Sequence, residues 1–427
     1  MKVKAITLGC KVNAYENEFI LSSFKDKGYE IINDNSKADI YIINTCSVTN
    51  QSDAKSRKII NRVVRENNEA IIVVMGCFIE ANREYNHDGV NIIIGNKDKK
   101  NVVGLVEEYI KDHCDKKVLY DNFDDIFEDM FITNMSSRTR AYVKIQDGCE
   151  NFCSYCIIPY TRGKCRSKDK DMVIREVESL VNNGYKEVVL TGIHTGHYGE
   201  DSGVSFSDLL NELVIIPGLE RLRISSIEIT ELNNDFLDVL KNSKTIVDHL
   251  HIPLQAGSDE ILRLMNRKYD TNYFFNKIEE IRKIRPMISI TTDVIVGFPY
   301  ETNELFIETC EFIKKVGFTK LHVFPYSIRK GTKASLMDHQ IDERIKKERV
   351  NELIKISNLL ESEYLDKFIG SVVEVLIEKN VDNTSMGHTG NFLPVTINGI
   401  FEKNSIVKVK ITKRIDNYLE GEFYEGN

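Results

Sequence analysis

Three cysteines packed into one short stretch constrain this chain more than any other feature. Cys149, Cys153 and Cys156 lie in DGCENFCSYC with the spacing Cys-x3-Cys-x2-Cys, and no fourth cysteine or histidine falls inside the run. A structural zinc site and a four-iron cluster each take four protein ligands. Three thiolates would therefore leave one iron of a cluster open, and an open iron can bind a small molecule.

Three apolar runs in the first hundred residues each end directly before a cysteine. They span residues 2–8, 38–44 and 70–75, and they precede Gly9-Cys10, Thr45-Cys46 and Gly76-Cys77. Helical patterns follow each run, which predicts a β-α-β-α-β unit with a parallel sheet. Ligands of such sheets bind beyond the carboxyl ends of the strands. We therefore predict that Cys10, Cys46 and Cys77 form a second three-thiolate site.

Strand and helix patterns alternate again after a charged, irregular connection at residues 113–139. The candidate strands span residues 141–146, 187–191, 221–225, 249–254, 289–296 and 320–326. Six β/α units predict an open, partial version of the eight-fold barrel, with its chemistry on the loops after the strands. The three-cysteine loop follows the first strand. The candidate cofactor contacts lie in that loop or near the ends of later strands: Tyr155, Gly192, Gln255, Asp293, Gly297 and Tyr326.

The tail and one N-terminal helix are candidate RNA-binding regions. Short β-rich runs after a linker helix at residues 341–368 predict a small β-barrel. The predicted domains are residues 1–112, a linker at 113–139, a core at 140–367 and the barrel at 368–427. The candidate RNA contacts are Lys408 and Lys410 in the tail and a stripe at helical spacing, formed by Lys55, Lys58, Arg62 and Arg65.

Composition indicates the cellular compartment and the kinds of partner that this chain can have. Nine cysteines spread over 427 residues argue against a disulfide framework and predict a reducing cytoplasm. No apolar run approaches the length of a membrane span, so we expect no membrane partner. The net charge of −8 gives no basic field over the whole chain, and a nucleic acid would need local patches.

These motifs together resemble the methylthiotransferase family of radical S-adenosylmethionine enzymes over nearly the whole chain. The resemblance rests on DGCENFCSYCIIPYTRG, the three N-terminal cysteines, HIPLQAGSD and FPYSIRKGTKA, and the tail resembles the TRAM RNA-binding module of that family. LGCKVN and NTCSVT are most similar to the branch that modifies threonylcarbamoyladenosine beside the tRNA anticodon. Cys165 departs from the family pattern, and we assign it no ligand role.

The resemblance implies two 4Fe–4S clusters, S-adenosylmethionine and a tRNA substrate. The cluster on Cys149, Cys153 and Cys156 would cleave S-adenosylmethionine to a radical that attacks position two of adenine. The other cluster would supply sulfur, and a second S-adenosylmethionine the methyl group. It further implies a flavodoxin- or ferredoxin-like electron donor and a sulfur donor that reloads the cluster.

Three alternatives remain open. The chain could act on isopentenyladenosine of tRNA, on a ribosomal-protein aspartate, or as an RNA-binding protein whose cysteines hold structural zinc. The zinc alternative lacks fourth ligands, since we expect His249 and His251 to point to opposite faces of their strand. We interpret Cys114 and Cys310 as packing or surface cysteines.

Overall fold

The N-terminal part is a parallel sheet with helices between its strands. A computed structural model of the chain describes residues 1–112, 116–120, 126–135 and 138–426. The elements are β1 (Lys2–Thr7), α1 (Lys11–Asp26), β2 (Glu30–Ile31), β3 (Ile40–Thr45), α2 (Asn50–Glu66), β4 (Ile71–Gly76), α3 (Cys77–Ala81), β5 (Ile92–Ile94), α4 (Val102–Asp112) and β6 (Lys117–Leu119). The strand order is β2-β1-β3-β4-β5-β6, so the three cysteine-bearing strand ends are neighbours, as predicted.

Part of the expected irregular connection belongs to this sheet. β6 pairs in parallel with β5, with Ile93 opposite Val118. Met130, Ile132 and Met135 are buried in the core that follows. The apolar side chains of a charged segment therefore tie it to both neighbouring domains.

The middle of the chain forms an open arc of parallel strands surrounded by helices. The elements are β7 (Arg140–Lys144), β8 (Gln146–Asp147), α5 (Ile158–Arg162), β9 (Arg166–Ser167), α6 (Lys170–Asn182), β10 (Glu187–Thr191), α7 (Phe206–Leu213), β11 (Arg221–Ile224), α8 (Asn234–Asn242), β12 (His249–His251), α9 (Asp259–Leu264), α10 (Thr271–Ile284), β13 (Ser289–Val296), α11 (Asn303–Val316), β14 (Lys320–Pro325) and α12 (Glu343–Asp366). Two parallel sheets, β11-β10-β7 and β12-β13-β14, meet where Ile227 N donates to His251 O at 3.1 Å. This arrangement is the predicted partial (β/α)6 barrel.

The tail forms the predicted small barrel. Its strands are β15 (Val372–Val381), β16 (Thr384–Thr389), β17 (Pro394–Asn398), β18 (Ile406–Ile415) and β19 (Tyr418–Phe423), closed in the order β15-β16-β17-β19-β18. Within the parts of the chain described above, no helix is long and apolar enough to cross a membrane.

The tail barrel covers the amino-terminal ends of the core strands. Arg221 donates to the carbonyl oxygens of Glu374 at 2.8 Å and His388 at 3.2 Å. The ring of Phe392 lies 4.8 Å from the Arg223 guanidinium, in a cation–π contact. The cysteine sites lie at the opposite end of the core, where the strands finish.

Candidate active site

The structure brings Cys10, Cys46 and Cys77 to one edge of the N-terminal sheet. Cys10 caps the start of α1 through its backbone, and Cys77 is the first residue of α3, so two of the thiols lie at helix N-termini. A side chain at Gly9 would come within 2.7 Å of Cys46 Sγ. The glycine therefore leaves room beside the sulfur atoms.

The loop with Cys149, Cys153 and Cys156 is held between β8 and β9, which pair in antiparallel fashion. Ser154 N donates to Met265 O at 3.0 Å, and Ala334 N donates to Ser154 O at 2.8 Å. The loop is thus fixed from two sides by the core.

Four of the predicted cofactor contacts line one cavity with Cys156. Tyr155, Gln255, Asp293 and Tyr326 surround a space of about 220 Å³ at the carboxyl ends of the core strands. These residues are far apart in sequence, and the parallel strand ends bring them together.

Gly192 and Gly297 lie outside the lining of this cavity. A side chain at position 192 would meet Gln146 Oε1 at 3.0 Å, and one at position 297 would meet Lys346 Cγ at 2.3 Å. Gly297 also has a φ of +70°, which favours glycine. Both glycines permit close packing of neighbouring side chains.

A second cavity adjoins the first and reaches the N-terminal cysteines. It has a volume of about 670 Å³ and is lined by Cys10 and Cys46. Val48, Thr49 and residues 324–327 line both cavities. Cys10, Cys46 and Cys156 therefore line adjoining cavities, which form a cleft between the N-terminal sheet and the core.

A buried charge cluster joins the two triads behind this cleft. Glu16 accepts from Lys99 at 2.6 Å and from Lys144 at 3.1 Å, and Arg162 contacts Asp147 at 3.0 Å and Glu16 at 3.3 Å. All five side chains are buried, and Glu16 and Lys99 come from the N-terminal domain whereas the others come from the core. Burial opposes ionisation of Glu16, but Lys99, Lys144 and Arg162 hold its pKa below the ordinary value.

Nitrogen donors approach cysteines of both triads. Arg162 Nε lies 3.3 Å from Cys77 Sγ, and Asn96 Nδ2 lies 3.5 Å from the same sulfur. Arg267 Nη1 lies 3.2 Å from Cys153 Sγ. Such contacts stabilise thiolates more than neutral thiols, because the donors meet a negative charge.

The donor sets fit two iron–sulfur clusters. Burial raises the pKa of Cys46 to about 11 and those of Cys149 and Cys156 to about 12, so these thiols stay protonated at neutral pH without a cation. Iron releases such protons and is held by the resulting thiolates. Three thiolates at each site match a cluster with one open iron.

The other cysteines have separate surroundings. Cys165 Sγ accepts from Gln146 Nε2 at 2.8 Å, beside the loop that carries Cys149, Cys153 and Cys156, which we call the radical loop. Cys310 is buried in the core. Cys114 lies outside the described residues.

All six candidate RNA contacts are exposed. The stripe of Lys55, Lys58, Arg62 and Arg65 lies on α2, whose buried side includes Ile60 and Val63, and Lys408 and Lys410 lie on β18. Lys55 also lines the larger cavity with Cys10. The stripe therefore begins at the cleft.

The expectation for His249 and His251 was wrong. His249 Nε2 lies 3.1 Å and His251 Nδ1 lies 2.9 Å from the same atom, Thr291 Oγ1. Residues two apart in a strand share a face, and both imidazoles line the inside of the core arc.

Comparisons with known proteins agree with this architecture. The radical SAM superfamily matches residues 143–313, and the uncharacterized protein family UPF0004 matches residues 2–95. The solved structure of the radical S-adenosylmethionine methyltransferase TsrM from Kitasatospora setae is similar with a TM-score of 0.55 at 13% identity, over 76% of this chain and 74% of that chain. That likeness supports the fold alone.

Relatives of similar length share much more sequence. The threonylcarbamoyladenosine tRNA methylthiotransferases MtaB of Bacillus subtilis and Aquifex aeolicus are 43% and 37% identical, over 98% and 96% of this chain and 95% and 100% of those proteins. A tRNA-2-methylthio-N(6)-dimethylallyladenosine synthase of Clostridium botulinum is 34% identical over 97% of this chain and 95% of that protein. The chain therefore belongs to the methylthiotransferase family of radical S-adenosylmethionine enzymes.

Proposed function

We propose that this protein is a transferase that adds sulfur and a methyl group at C2 of N6-threonylcarbamoyladenosine, next to the anticodon of tRNA. The observation that carries the proposal is the wall shared by the two cavities, formed by Val48, Thr49 and residues 324–327. An adenine base against this wall would lie between both cysteine triads. The relative named for threonylcarbamoyladenosine is more identical to this chain than the relative named for dimethylallyladenosine. This difference favours threonylcarbamoyladenosine as the substrate.

The six cysteines would hold two 4Fe–4S clusters. When bound, these clusters and S-adenosylmethionine supply the radical, the sulfur and the methyl group. Cys149, Cys153 and Cys156 would hold the cluster that binds S-adenosylmethionine, and Tyr155, Gln255, Asp293 and Tyr326 would bind and orient that cofactor. Apolar residues of the shared wall, such as Val48 and Phe324, would help to exclude water.

In this proposal each domain has its own role. Residues 1–112 hold the sulfur-donating site, residues 140–367 the radical site, and residues 368–427 bind RNA together with the stripe on α2. A flavodoxin- or ferredoxin-like electron donor and a separate sulfur donor complete the cycle. Low-potential clusters require reducing surroundings, which fits a cytoplasmic enzyme.

Nucleoside analysis tests the proposal. The chain is expressed in a bacterial strain deleted for its own tRNA methylthiotransferases, and the nucleosides of bulk tRNA are separated by liquid chromatography with mass detection. We expect 2-methylthio-N6-threonylcarbamoyladenosine to appear with wild-type protein and to be absent with Cys10→Ala. A methylthio group only on dimethylallyladenosine, or on no nucleoside, would contradict the proposal.

A further inference from the structure

The inside of the core arc is polar where barrels of this type are usually filled by branched aliphatic side chains. His249 and His251 contact Thr291, and the ring of His251 lies 5.5 Å from the ring of His322 on the next-but-one strand. Arg223 is buried below them and contacts Glu187 at 2.7 Å. A recess of nitrogen-bearing side chains therefore lies under the reaction cleft.

Lys11 enters this recess from the N-terminal domain. It follows Cys10 at the start of α1, and the charges of Arg223 and Arg140 act on its ammonium group. Those two arginines belong to core strands, so the ammonium group lies close to the inside of the arc. Lys11 and His322 keep solvent-accessible side chains, which indicates a solvent-filled recess rather than a packed core.

Two nitrogen atoms in the recess lack partners. Arg223 Nη1 and His249 Nδ1 are buried and make no hydrogen bond with any described residue. Arg223 is 3% exposed and His249 is 8% exposed. A buried guanidinium nitrogen carries a desolvation cost unless a partner satisfies it, and a bound acceptor would do so at Arg223.

The cations of the recess share a small set of carboxylates. Glu187 is shared by Arg140 at 2.9 Å, Arg221 at 3.6 Å and Arg223 at 2.7 Å. Glu378 also pairs with Arg140, and Asp293 is the carboxylate that acts on Lys11. Glu374 also acts on Arg221, so four cations share four carboxylates.

The recess adjoins the reaction cavity. Asp293, which lines that cavity with Cys156, lies 3.3 Å from His251 Nε2. A nucleoside in the cleft can therefore extend a substituent past Asp293 toward Lys11 and His322.

We propose that this recess binds the carboxylate of the threonyl group on the substrate nucleoside. The inference rests on the proposed function and adds to it the element that selects the substrate. A carboxylate brings one negative charge and two acceptor oxygens, which suit a ring of nitrogen donors. The dimethylallyl substituent has neither. The carboxylate of S-adenosylmethionine is the other source of the same group, and the family resemblance assigns that one to the open iron.

Binding measurements test this inference. Reconstituted wild-type protein is titrated with tRNA anticodon stem–loops that carry threonylcarbamoyladenosine, dimethylallyladenosine or plain adenosine at the same position. We expect wild type to prefer the first, and Lys11→Met and His322→Leu each to reduce that preference by about tenfold, since a hydrogen bond to a charged group is lost. Lys25→Met removes the same charge from the far end of α1 and should retain the preference.

Two further readouts separate the possible failures. If both variants keep the wild-type preference, the inference is overturned even when wild type forms the methylthio product. If both variants instead lose affinity for S-adenosylmethionine, the recess holds the cofactor carboxylate and the inference is also overturned. Nucleoside analysis of wild-type activity reports independently on the proposed function. Iron content is measured for each variant, and His322→Leu, on a core strand, carries the test if Lys11→Met disturbs the neighbouring Cys10.

Discussion

Arg162 Nε lies 3.3 Å from Cys77 Sγ, although the two residues belong to different domains. Arg162 is the last residue of α5, which follows the radical loop. Cys77 is the first residue of α3, which follows β4. The same guanidinium contacts Asp147, two residues before Cys149. One buried side chain therefore connects both cysteine sites.

Replacing this arginine should destabilise the protein and loosen the N-terminal site. Arg162→Gln leaves Glu16 and Asp147 with one buried cation fewer, so we expect the free energy of unfolding to fall by about 3 kcal/mol. Urea unfolding measures the change. Arg263→Gln, an exposed arginine on α9, serves as the control and should change it by less than about 0.5 kcal/mol. An unchanged urea midpoint for Arg162→Gln would contradict the role of the charge cluster.

Loss of any cysteine in the radical loop should abolish S-adenosylmethionine cleavage. Cys149→Ala, Cys153→Ala and Cys156→Ala each remove an iron ligand that alanine cannot replace. Deoxyadenosine formed under reducing conditions is the measurement. Cys165→Ala is the matched control, because this thiol lies nearby and is no ligand in our assignment. Wild-type rates from any of the three variants would refute the assignment of the radical site.

The N-terminal cysteines should separate sulfur insertion from radical formation. Cys10→Ala, Cys46→Ala and Cys77→Ala should each lose about one four-iron cluster per chain while the core triad keeps its own. Deoxyadenosine should still form, and no methylthio group should reach tRNA. Iron analysis and nucleoside analysis of the same preparation check the split. Full iron with normal tRNA modification would identify these cysteines as packing residues.

Charge reversal on α2 should weaken tRNA binding in a salt-dependent way. Lys58→Glu with Arg62→Glu removes two exposed cations from the stripe that starts at the cleft. Each lost phosphate contact flattens the plot of log affinity against log salt by about one unit. Lys25→Glu with Lys37→Glu makes the same charge change elsewhere on the domain. Equal slopes for the two double variants would leave the stripe as an ordinary solvated face.

The tail barrel should contribute to RNA affinity and leave the clusters intact. Lys408→Glu with Lys410→Glu should lower tRNA affinity, with iron content as in wild type, whereas Lys379→Glu with Lys403→Glu on other parts of the barrel should have a smaller effect. Substitution is preferable to removing residues 368–427, because that deletion also strips the carbonyl oxygens bound by Arg221. Unchanged affinity would argue against RNA binding by these lysines.

Sequence patterns predicted the elements whose signals are local. The strands Glu187–Thr191 and Ser289–Val296 have the predicted bounds, because each is a β-rich run with a clear end. The strand Thr384–Thr389 was not predicted, since SMGH carries little β-propensity and pairing with its neighbours decides its structure.

The cysteine triads were predictable from spacing and topology, but their surroundings were not. Arg162 meets Glu16 across 146 positions of sequence, and no local pattern announces that pair. Arg267 beside Cys153 was missed for the same reason. Lys144, within the otherwise apolar run AYVKI, is the one signal that could have indicated a charge cluster, whereas Lys99 stands in the charged run KDKKN and gives none.

The charge cluster makes the N-terminal domain and the core depend on each other for stability. Cutting the chain between residues 112 and 140 would separate Glu16 from Lys144 and Arg162, so the core fragment would keep two of these cations for the single carboxylate of Asp147. The N-terminal domain is therefore separate in sequence, but its stability depends on residues of the core. A chimera that exchanges this domain between relatives should need residues 16, 99, 144, 147 and 162 to be transferred as one set.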